Sequence, residues 1–216
     1  MSNSQVRPSR WPRLAWGCMV AGESRRGLAG ASAFCDRYFS ELASIMARID
    51  REAVGRLADA LLDTSSRNAS IFLIGNGGSA ATASHWANDL ASIPGRNFRA
   101  LSLADNVATV TAIANDHGYE KIFARQLDSL LVREDMVVAF SASGNSPNIL
   151  SAIELANGRG SMTAGLTGFD GGKLRHMVQI AVHIESEPGS YGPVEDLHMV
   201  MDHLVTSYLC EVINSR

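Results

Sequence analysis

The stretch Ile71–Leu90, "IFLIGNGGSAATASHWANDL", decides the fold, because within it an apolar run enters a glycine-rich turn and leaves as a helix. Four apolar residues before Gly75 are typical of a strand that is buried on both faces. The predicted helix after the turn carries His85 and Asp89 four residues apart, and therefore on one side. Taken alone, the stretch fits a nucleotide-binding loop, a phosphate-binding loop or half of a metal site.

The alternation of apolar strand and helix continues to the end of the chain. We predict strands over 70–75, 98–104, 135–143, 162–168 and 179–185. We predict helices over 79–92, 107–114, 122–131, 147–157 and 193–213. Near-continuous apolar strands separated by helices indicate a parallel sheet that is covered on both faces. The predicted fold class is therefore α/β, a three-layer sandwich with a five-stranded parallel sheet flanked by helices.

The start of the predicted domain has a helical pattern of apolar residues over 31–62. This pattern predicts one long N-terminal helix, or two helices that are broken near Asp50. The apolar stripe must pack on another surface, such as a second subunit, so we expect the helix to serve oligomerisation.

The composition is that of one globular domain of 216 residues with a net charge of −3, which argues against broad nucleic-acid binding. Three cysteines stand far apart without a CxxC pair, and this usage fits a reducing compartment. No apolar run approaches the roughly 18–20 residues that a membrane helix needs. We therefore expect a cytoplasmic protein with no nucleic-acid and no membrane partner.

Residues 1–30 differ from the rest of the chain, because they contain five arginines and one acid without any periodicity. We expect a disordered extension there, ahead of a domain over 31–216. The segment Leu14–Gly22, "LAWGCMVAG", resembles a poor signal peptide, since it is short, broken by glycine and followed by Glu23 and two arginines. A disordered extension or an over-long start explains the segment better than secretion does.

A second polar turn, Ser141–Asn148 ("SASGNSPN"), follows the predicted third strand. Ser146 stands as an N-cap before Pro147 at the first helical position, which is a strong helix start. Gly144 lets a ligand approach the main chain, and the free N–H groups of the helix start favour an anion. The neutral donors of the turn are the hydroxyls of Ser141, Ser143 and Ser146. The turn suits a single phosphate, with a plain serine-capped turn as the alternative.

Neither turn matches a nucleotide-binding loop well. The ATP-binding pattern GxxxxGK[ST] requires a lysine, and neither turn contains one. Gly75–Ala80 ("GNGGSA") fits the dinucleotide-binding form GxGxxA loosely, but no acid stands about 20 residues on to hold a ribose. Because ligands of parallel α/β sheets bind at the carboxyl ends of the strands, we expect both turns to form one phosphate site.

The last predicted helix contains Val194–Val205, "VEDLHMVMDHLV", which is rich in acids and histidines. On a helical wheel Glu195, His198 and Asp202 lie together, and His203 lies at their margin. Geometry alone does not choose between two ligand sets, {Glu195, His203} and {Glu195, His198, Asp202}, and His198 with Asp202 also fits a solvated i,i+4 pair. Two histidines and two carboxylates from two helices are an adequate set for zinc or another divalent ion.

Three segments in this order, "GNGGSA", "SASGNSPN" and "GLTGFDGGKL" (Gly165–Leu174), resemble the sugar isomerase (SIS) family. The GNGGS turn with a following histidine, "NDHGYEKIF" (Asn115–Phe123) and the last helix resemble its phosphoheptose isomerase branch. The resemblance covers about 31–214 and implies the SIS fold. It also implies conversion of sedoheptulose 7-phosphate to D-glycero-D-manno-heptose 7-phosphate through an enediol, for lipopolysaccharide, capsule or nucleotide-heptose synthesis.

Two other functions stay open beside that expectation. The same branch includes a non-catalytic protein that binds a bacterial replication initiator, and other SIS enzymes act on different phosphosugars. A protein that only binds a partner would have no need to keep four metal-competent groups, and their presence therefore favours the enzyme.

The resemblance also implies a set of site residues. The implied ligands of one Zn²⁺ per subunit are His85, Asp89, Glu195 and His203. Asp89 is the implied base, and His203 is its acid/base partner. The implied contacts to the sugar phosphate are Asn76, Gly77, Ser79, Asp105, Asn106, Ser141, Ser143, Ser146 and Glu195. The family further implies a homotetramer in which neighbouring subunits share each site.

Three positions depart from the family pattern. The isomerases usually have glutamate where Asp89 stands and glutamine where Glu195 stands, and an acid of the family is replaced by Gly192. Asp89 is one methylene shorter than glutamate, so its reach toward the substrate carbon is shorter. Glu195 adds a negative charge, which should strengthen cation binding.

Overall fold

The computed structural model of the protein describes residues 30–215, so the extension predicted over 1–30 lies almost entirely outside it. The described strands are Ser70–Ile74 (β1), Arg99–Ser102 (β2), Met136–Ser141 (β3), Met162–Thr167 (β4) and Ile180–His183 (β5). The described α-helices are Ala31–Ala47 (α1), Arg51–Ser66 (α2), Gly78–Ala91 (α3), Val107–His117 (α4), Ala124–Leu130 (α5), Pro147–Gly158 (α6), Leu174–Met177 (α7) and Tyr191–Asn214 (α8). A 3₁₀ turn lies at Tyr119–Lys121.

The strands form one parallel sheet in the order β2-β1-β3-β4-β5, which confirms the predicted fold class. After β1 the chain adds β2 on one side and then crosses to add β3 on the other. The carboxyl ends of β1 and β3 therefore lie side by side where the strand order reverses. Ligands of open α/β sheets bind at this switch point, and both polar turns begin there.

The sheet separates two apolar cores, because successive side chains of each strand point to opposite faces. Ile71 and Leu73 of β1 belong to the core that α1, α2, α3 and α8 cover. Phe72 and Ile74 belong to the core that α5, α6 and α7 cover, with α4 at its margin. Burial of β1 on both faces accounts for the unbroken apolar run from which the strand was predicted.

The N-terminal helical pattern forms two helices with a break at Asp50, the second of the two predicted arrangements. The break occurs at Asp50 because its carboxylate caps α2. It accepts hydrogen bonds from the N–H groups of Glu52 (2.9 Å) and Ala53 (3.2 Å). On α1, Phe34 and Phe39 keep 57% and 65% of their surface exposed. Ile45 and Ile49, further along the same stripe, are buried in this chain's own core, so only the beginning of the stripe is open to a neighbouring subunit.

Most predicted element boundaries are within three residues of those in the structure. The last helix begins at Tyr191, two residues before its predicted start, and α4 extends to His117. The 3₁₀ turn and the short α7 were not predicted, because elements of three or four residues carry too little periodicity. No helix within residues 30–215 is both long and apolar enough to span a membrane.

His198 of α8 is buried in the larger core, which rules out the alternative ligand set that contained it. Its ring meets Phe140 of β3 edge-on at 6.1 Å between centroids, and neither ring nitrogen makes a hydrogen bond of normal geometry among the described residues. Burial lowers the pKa of His198 to about 4, and the main chain of Thr167 opposes this shift only partly.

This buried histidine predicts an acid-sensitive stability. His198 has a folded-state pKa of about 4 against an ordinary value of 6.5, so the unfolded chain binds its proton more readily. The contribution to stability is complete above pH 6.5 and is lost as the pH falls toward 4. We expect a loss of about 3 kcal/mol in the free energy of unfolding over this range, measured by urea denaturation.

The control for this prediction compares two substitutions. His198→Leu should remove that part of the pH dependence, whereas His176→Gln, at an exposed position of α7, should keep it. Equal pH dependence in wild type and His198→Leu would contradict the assignment.

Candidate active site

The first turn, between β1 and α3, is shaped by close approach of the helix to the strand. A side chain at Gly75 would collide with the main chain of Ser79 and Ala80 in the first turn of α3. Gly77 precedes the helix with φ of +55°, a conformation that favours glycine. The free N–H groups of the α3 N-terminus thereby lie at the sheet edge, where they can meet an anion.

The second turn, between β3 and α6, is held by the loop that follows β4. Gly144 has φ of +62°, and a side chain there would collide with the carbonyl oxygen of Gly171. The N–H of Leu174 donates to the carbonyl of Gly144 at 2.9 Å. All three sequence segments that carry the family resemblance therefore lie next to one another at this edge of the sheet.

The three serines predicted to bind substrate lie in this second turn. The Ser141 hydroxyl accepts a hydrogen bond from the N–H of Gly144 at 3.1 Å, and the Ser143 hydroxyl accepts from Asn145 at 3.3 Å. Ser146 is the N-cap residue of α6, as predicted, but its hydroxyl makes no capping bond to any described residue. Each hydroxyl keeps its own O–H available as a donor.

Two asparagines join the turns. Asn76 of the first turn and Asn148 of α6 exchange reciprocal side-chain hydrogen bonds of 2.9 and 2.8 Å, and the Tyr119 hydroxyl donates to the Asn76 Oδ1 atom at 2.9 Å. Two donors occupy that oxygen, so the group that Asn76 has left for a ligand is one N–H. Asn76 therefore acts toward a ligand as a donor, the role that an oxyanion requires.

The remaining predicted contacts have different surroundings. Ser79 is buried and Gly77 is exposed at the start of α3. The Asp105 carboxylate accepts a hydrogen bond from the Ser84 hydroxyl of α3, whereas the Asn106 side chain caps α4 by accepting from the N–H of Thr109 at 3.1 Å. Asp105 is thus hydrogen-bonded to α3, whereas Asn106 is not.

A group of two histidines and two aspartates lies where α3 meets α8. One ligand atom each from His85, Asp89, Asp202 and His203 can be chosen so that all four lie within 4.8 Å of one another. The His85 Nδ1 atom lies 2.8 Å from Asp202 Oδ2 and 3.6 Å from Asp89 Oδ2. The rings of His85 and His203 meet edge-on at 5.2 Å. The predicted His85/Asp89 pair is formed, with Asp202 and His203 beside it.

The side chains of this histidine–aspartate group differ in solvent exposure, and the difference shifts their pKa values. Asp202 is completely buried, and burial raises the pKa of its carboxyl, while the hydrogen bond from His85 opposes the rise. The same hydrogen bond is the main cause of the raised pKa of His85. His85 and Asp89 are partly open to solvent, so a ligand can reach the group from outside.

Glu195, predicted as the fourth metal ligand, is not a member of this group. Its carboxylate lies against the main chain of Gly78, so closely that a side chain at Gly78 would collide with it. Burial raises the pKa of Glu195, and the neighbouring Asp196 charge adds to the rise. The structure thus brings together three predicted ligands, His85, Asp89 and His203, with Asp202.

Gly192, at the position where the resemblance implied an acid, lies in the first turn of α8. A side chain at this position would be 3.1 Å from the hydroxyl of Tyr38, which donates to the Asp196 carboxylate at 2.5 Å. A tyrosine–aspartate hydrogen bond therefore links the beginning of α8 to α1.

The donor set of the four-residue group suits a metal ion. Two imidazoles and two carboxylates are ligands that zinc and similar divalent ions accept, and four ligands complete a tetrahedral site. The spacing and chemistry of His85, Asp89, Asp202 and His203 thus fit a metal-binding group.

Comparisons of the sequence and of the structure with known proteins point to the same family. Residues 37–168 match the SIS domain model. A phosphoheptose isomerase of Helicobacter pylori (strain Shi470) is 38% identical over 156 residues, which are 71% of this chain and 78% of that protein. This chain belongs to the phosphoheptose isomerase family of SIS-domain proteins.

Other members of this family are similar over greater lengths. The phosphoheptose isomerase of Geobacter sulfurreducens is 34% identical over 179 residues, covering 80% of this chain and 91% of that protein. The solved structure of a phosphoheptose isomerase from Francisella tularensis superposes with a TM-score of 0.75 at 27% identity, covering 87% of this chain and 100% of that one. The enzyme from Neisseria gonorrhoeae gives 0.74 at 26% identity, covering 82% and 98%.

Sequence reasoning missed two residues of this phosphoheptose isomerase-type site and left a third undecided. Asn148 and Tyr119 stand in segments that carried the family resemblance, but neither was singled out as a link between turns. Asp202 was weighed only together with His198. A polar residue directly behind a serine-capped helix start was the available signal for Asn148.

Asn148→Asp is expected to weaken binding of a sugar phosphate about tenfold or more. The substitution removes the donor that holds the Asn76 carbonyl and puts a carboxylate beside the anion site, and loss of one buried donor costs about 1–3 kcal/mol. Calorimetric titration measures the change. Asn214→Asp, at the exposed end of α8, is the control and should bind as wild type does. Unchanged affinity in Asn148→Asp would show that the asparagine pair does not organise the site.

Proposed function

We propose that this protein isomerises sedoheptulose 7-phosphate to D-glycero-D-manno-heptose 7-phosphate, and so supplies heptose for lipopolysaccharide, capsule or nucleotide-activated heptose. The observation that carries the proposal is that one helix, α3, joins both halves of the site. Its N-terminus belongs to the phosphate turns, and His85 follows Ser79 by about 9 Å of helix rise. This spacing is of the order of the length of an extended seven-carbon sugar phosphate. The relatives named phosphoheptose isomerase support the same substrate class.

The phosphate end uses neutral donors. The proposed phosphate ligands are the hydroxyls of Ser141, Ser143 and Ser146, the N–H of Asn76 and the N-termini of α3 and α6, all of which belong to the two turns at the β1/β3 switch point. Helix N-termini favour negative charge, so the phosphate needs no lysine or arginine here. Holding the phosphate fixes the position of the sugar chain, and a fixed position is the main contribution of binding to rate.

The reacting end must move a proton between C1 and C2 of the sugar. Asp89 is the proposed base and His203 the proposed acid/base partner, since proton transfer through an enediol needs both functions. A carboxylate has two oxygens, so Asp89 can face a cation with one and the substrate with the other. A zinc ion held by His85, Asp89 and His203 would stabilise negative charge on the sugar oxygens.

The proposed assembly is a cytoplasmic homotetramer with sites between subunits. The exposed phenyl rings of Phe34 and Phe39 on α1 support it, because apolar area of this kind on one helix marks an interaction surface. Light scattering of the purified protein should give four times the chain mass of 23.1 kDa. A monomer at micromolar concentration would contradict the assembly.

Asp89→Asn should abolish the proton transfer while leaving the fold intact. A carboxamide cannot accept the proton, and loss of a general base costs roughly 10²–10⁴ in kcat. The assay is NMR of sedoheptulose 7-phosphate incubated with zinc-loaded protein, which follows appearance of the aldose. Asp59→Asn, an exposed aspartate of α2, is the matched control and should keep full activity.

Two outcomes would reject the proposal. Zinc-loaded wild type that leaves this ketose unchanged but converts another would make the protein an isomerase of a different phosphosugar. Native protein that contains no metal and is inert toward all of them would favour a binding function instead.

A further inference from the structure

We infer that Asp202, not Glu195, supplies the fourth ligand of the divalent-cation site that also contains His85, Asp89 and His203. The inference rests on the metal site of the proposed function, but it concerns only which side chain coordinates. It therefore stands or falls on metal binding, whatever the substrate of the enzyme is.

The separations between ligand atoms support this set. Zinc ligands lie about 2.0–2.2 Å from the ion, so neighbouring ligands of a tetrahedral site lie about 3.3–3.6 Å apart. The His85 Nδ1 atom lies 3.6 Å from the Asp89 carboxylate and 2.8 Å from that of Asp202. The 3.6 Å separation already fits a tetrahedral pair, and the 2.8 Å separation would open by about 0.5–0.8 Å around an ion. Because both aspartates approach the same ring nitrogen, Nδ1 is the atom that faces the ion.

The burial of Asp202 points the same way. Its side chain has no exposed surface and lies on the face of α8 that packs on α3. The Thr206 hydroxyl, at 3.3 Å, contacts its Oδ1 atom, which leaves Oδ2 directed at the group. A buried carboxylate beside a second carboxylate is costly unless a cation balances it. A divalent ion would balance both charges.

Glu195 has a different partner. Its carboxylate contacts Gly78 at the N-terminus of α3, where the helix dipole favours a negative charge. Asp202 follows it by seven residues, about 10 Å along α8. Glu195 thus lies at the phosphate end of the site, and Asp202 lies at the His85 end.

Cobalt-substituted protein tests whether position 202 coordinates directly. In the full chain, Asp202→Cys loaded with Co²⁺ should show intense thiolate-to-cobalt absorption in the near ultraviolet, above the wild-type background from its three native cysteines. Glu195→Cys, the matched variant, should show none. A band in Glu195→Cys, or no band in Asp202→Cys, would overturn the inference.

Zinc affinity, measured by competition with a chromophoric chelator, gives an independent readout. Asp202→Asn keeps the side-chain shape and should lose at least about tenfold in affinity, since even indirect partners of a metal are worth about 10–100-fold. Glu195→Gln should stay within about threefold of wild type. Loss in both variants, or in Glu195→Gln alone, would overturn the replacement of Glu195 by Asp202, and so would a wild type that binds no zinc.

Circular dichroism establishes which variants fold. If neither substitution at 202 yields folded protein, Glu195→Gln decides the question: retained affinity supports the inference, and a tenfold loss overturns it. Isomerase activity enters none of these outcomes, so failure of the proposed reaction and failure of this ligand assignment are distinguishable.

Discussion

Parallel pairing of β1 with β3 is the constraint on which the site depends. Ile74, the last residue of β1, pairs with Ala139 of β3, so the turns that follow the two strands must meet. Those turns are distant in sequence, and the reciprocal hydrogen bonds of Asn76 and Asn148 join them. Without the strand crossover between β1 and β3, each turn would be an isolated helix start. With it, two helix N-termini and the hydroxyls of the second turn belong to one edge of the sheet, where we propose that the phosphate binds.

The site also depends on the packing of α3 on α8, which determines the distance between the two groups of polar side chains. Glu195 lies beside Gly78 and Asp202 beside His85, so the two helices run in the same direction with matching seven-residue steps. Acidic and basic groups are thereby arranged in two levels along one helix pair. The level near the sheet is the proposed phosphate end, and the level two turns further contains the histidine–aspartate group. A ligand with a phosphate at one end and a reactive carbon at the other matches this arrangement.

The fold was largely predictable from the sequence, and the site was predictable in part. Unbroken apolar runs identify strands buried on both faces, and Asp50 at the helix break is recognisable as a cap. Four-residue spacing was enough to pair His85 with Asp89, because both residues stand on one helix. Spacing on α8 does not tell which side of that helix meets α3. His198 and Asp202 lie on the same side by periodicity, yet one ring packs on Phe140 while the other side chain reaches His85. The direction of the Glu195 side chain depends on where the N-terminus of α3 lies. That position is set by tertiary packing and cannot be derived from residue spacing on α8.

The most direct measurement is a crystal structure of the protein with zinc and sedoheptulose 7-phosphate, obtained with Asp89→Asn so that the sugar is not converted. We expect the phosphate within hydrogen-bond distance of Asn76 and the serine hydroxyls of the second turn, and C1 and C2 of the sugar beside residue 89. A phosphate bound away from the β1/β3 switch point, or a sugar chain directed away from the His85 end of α3, would contradict it.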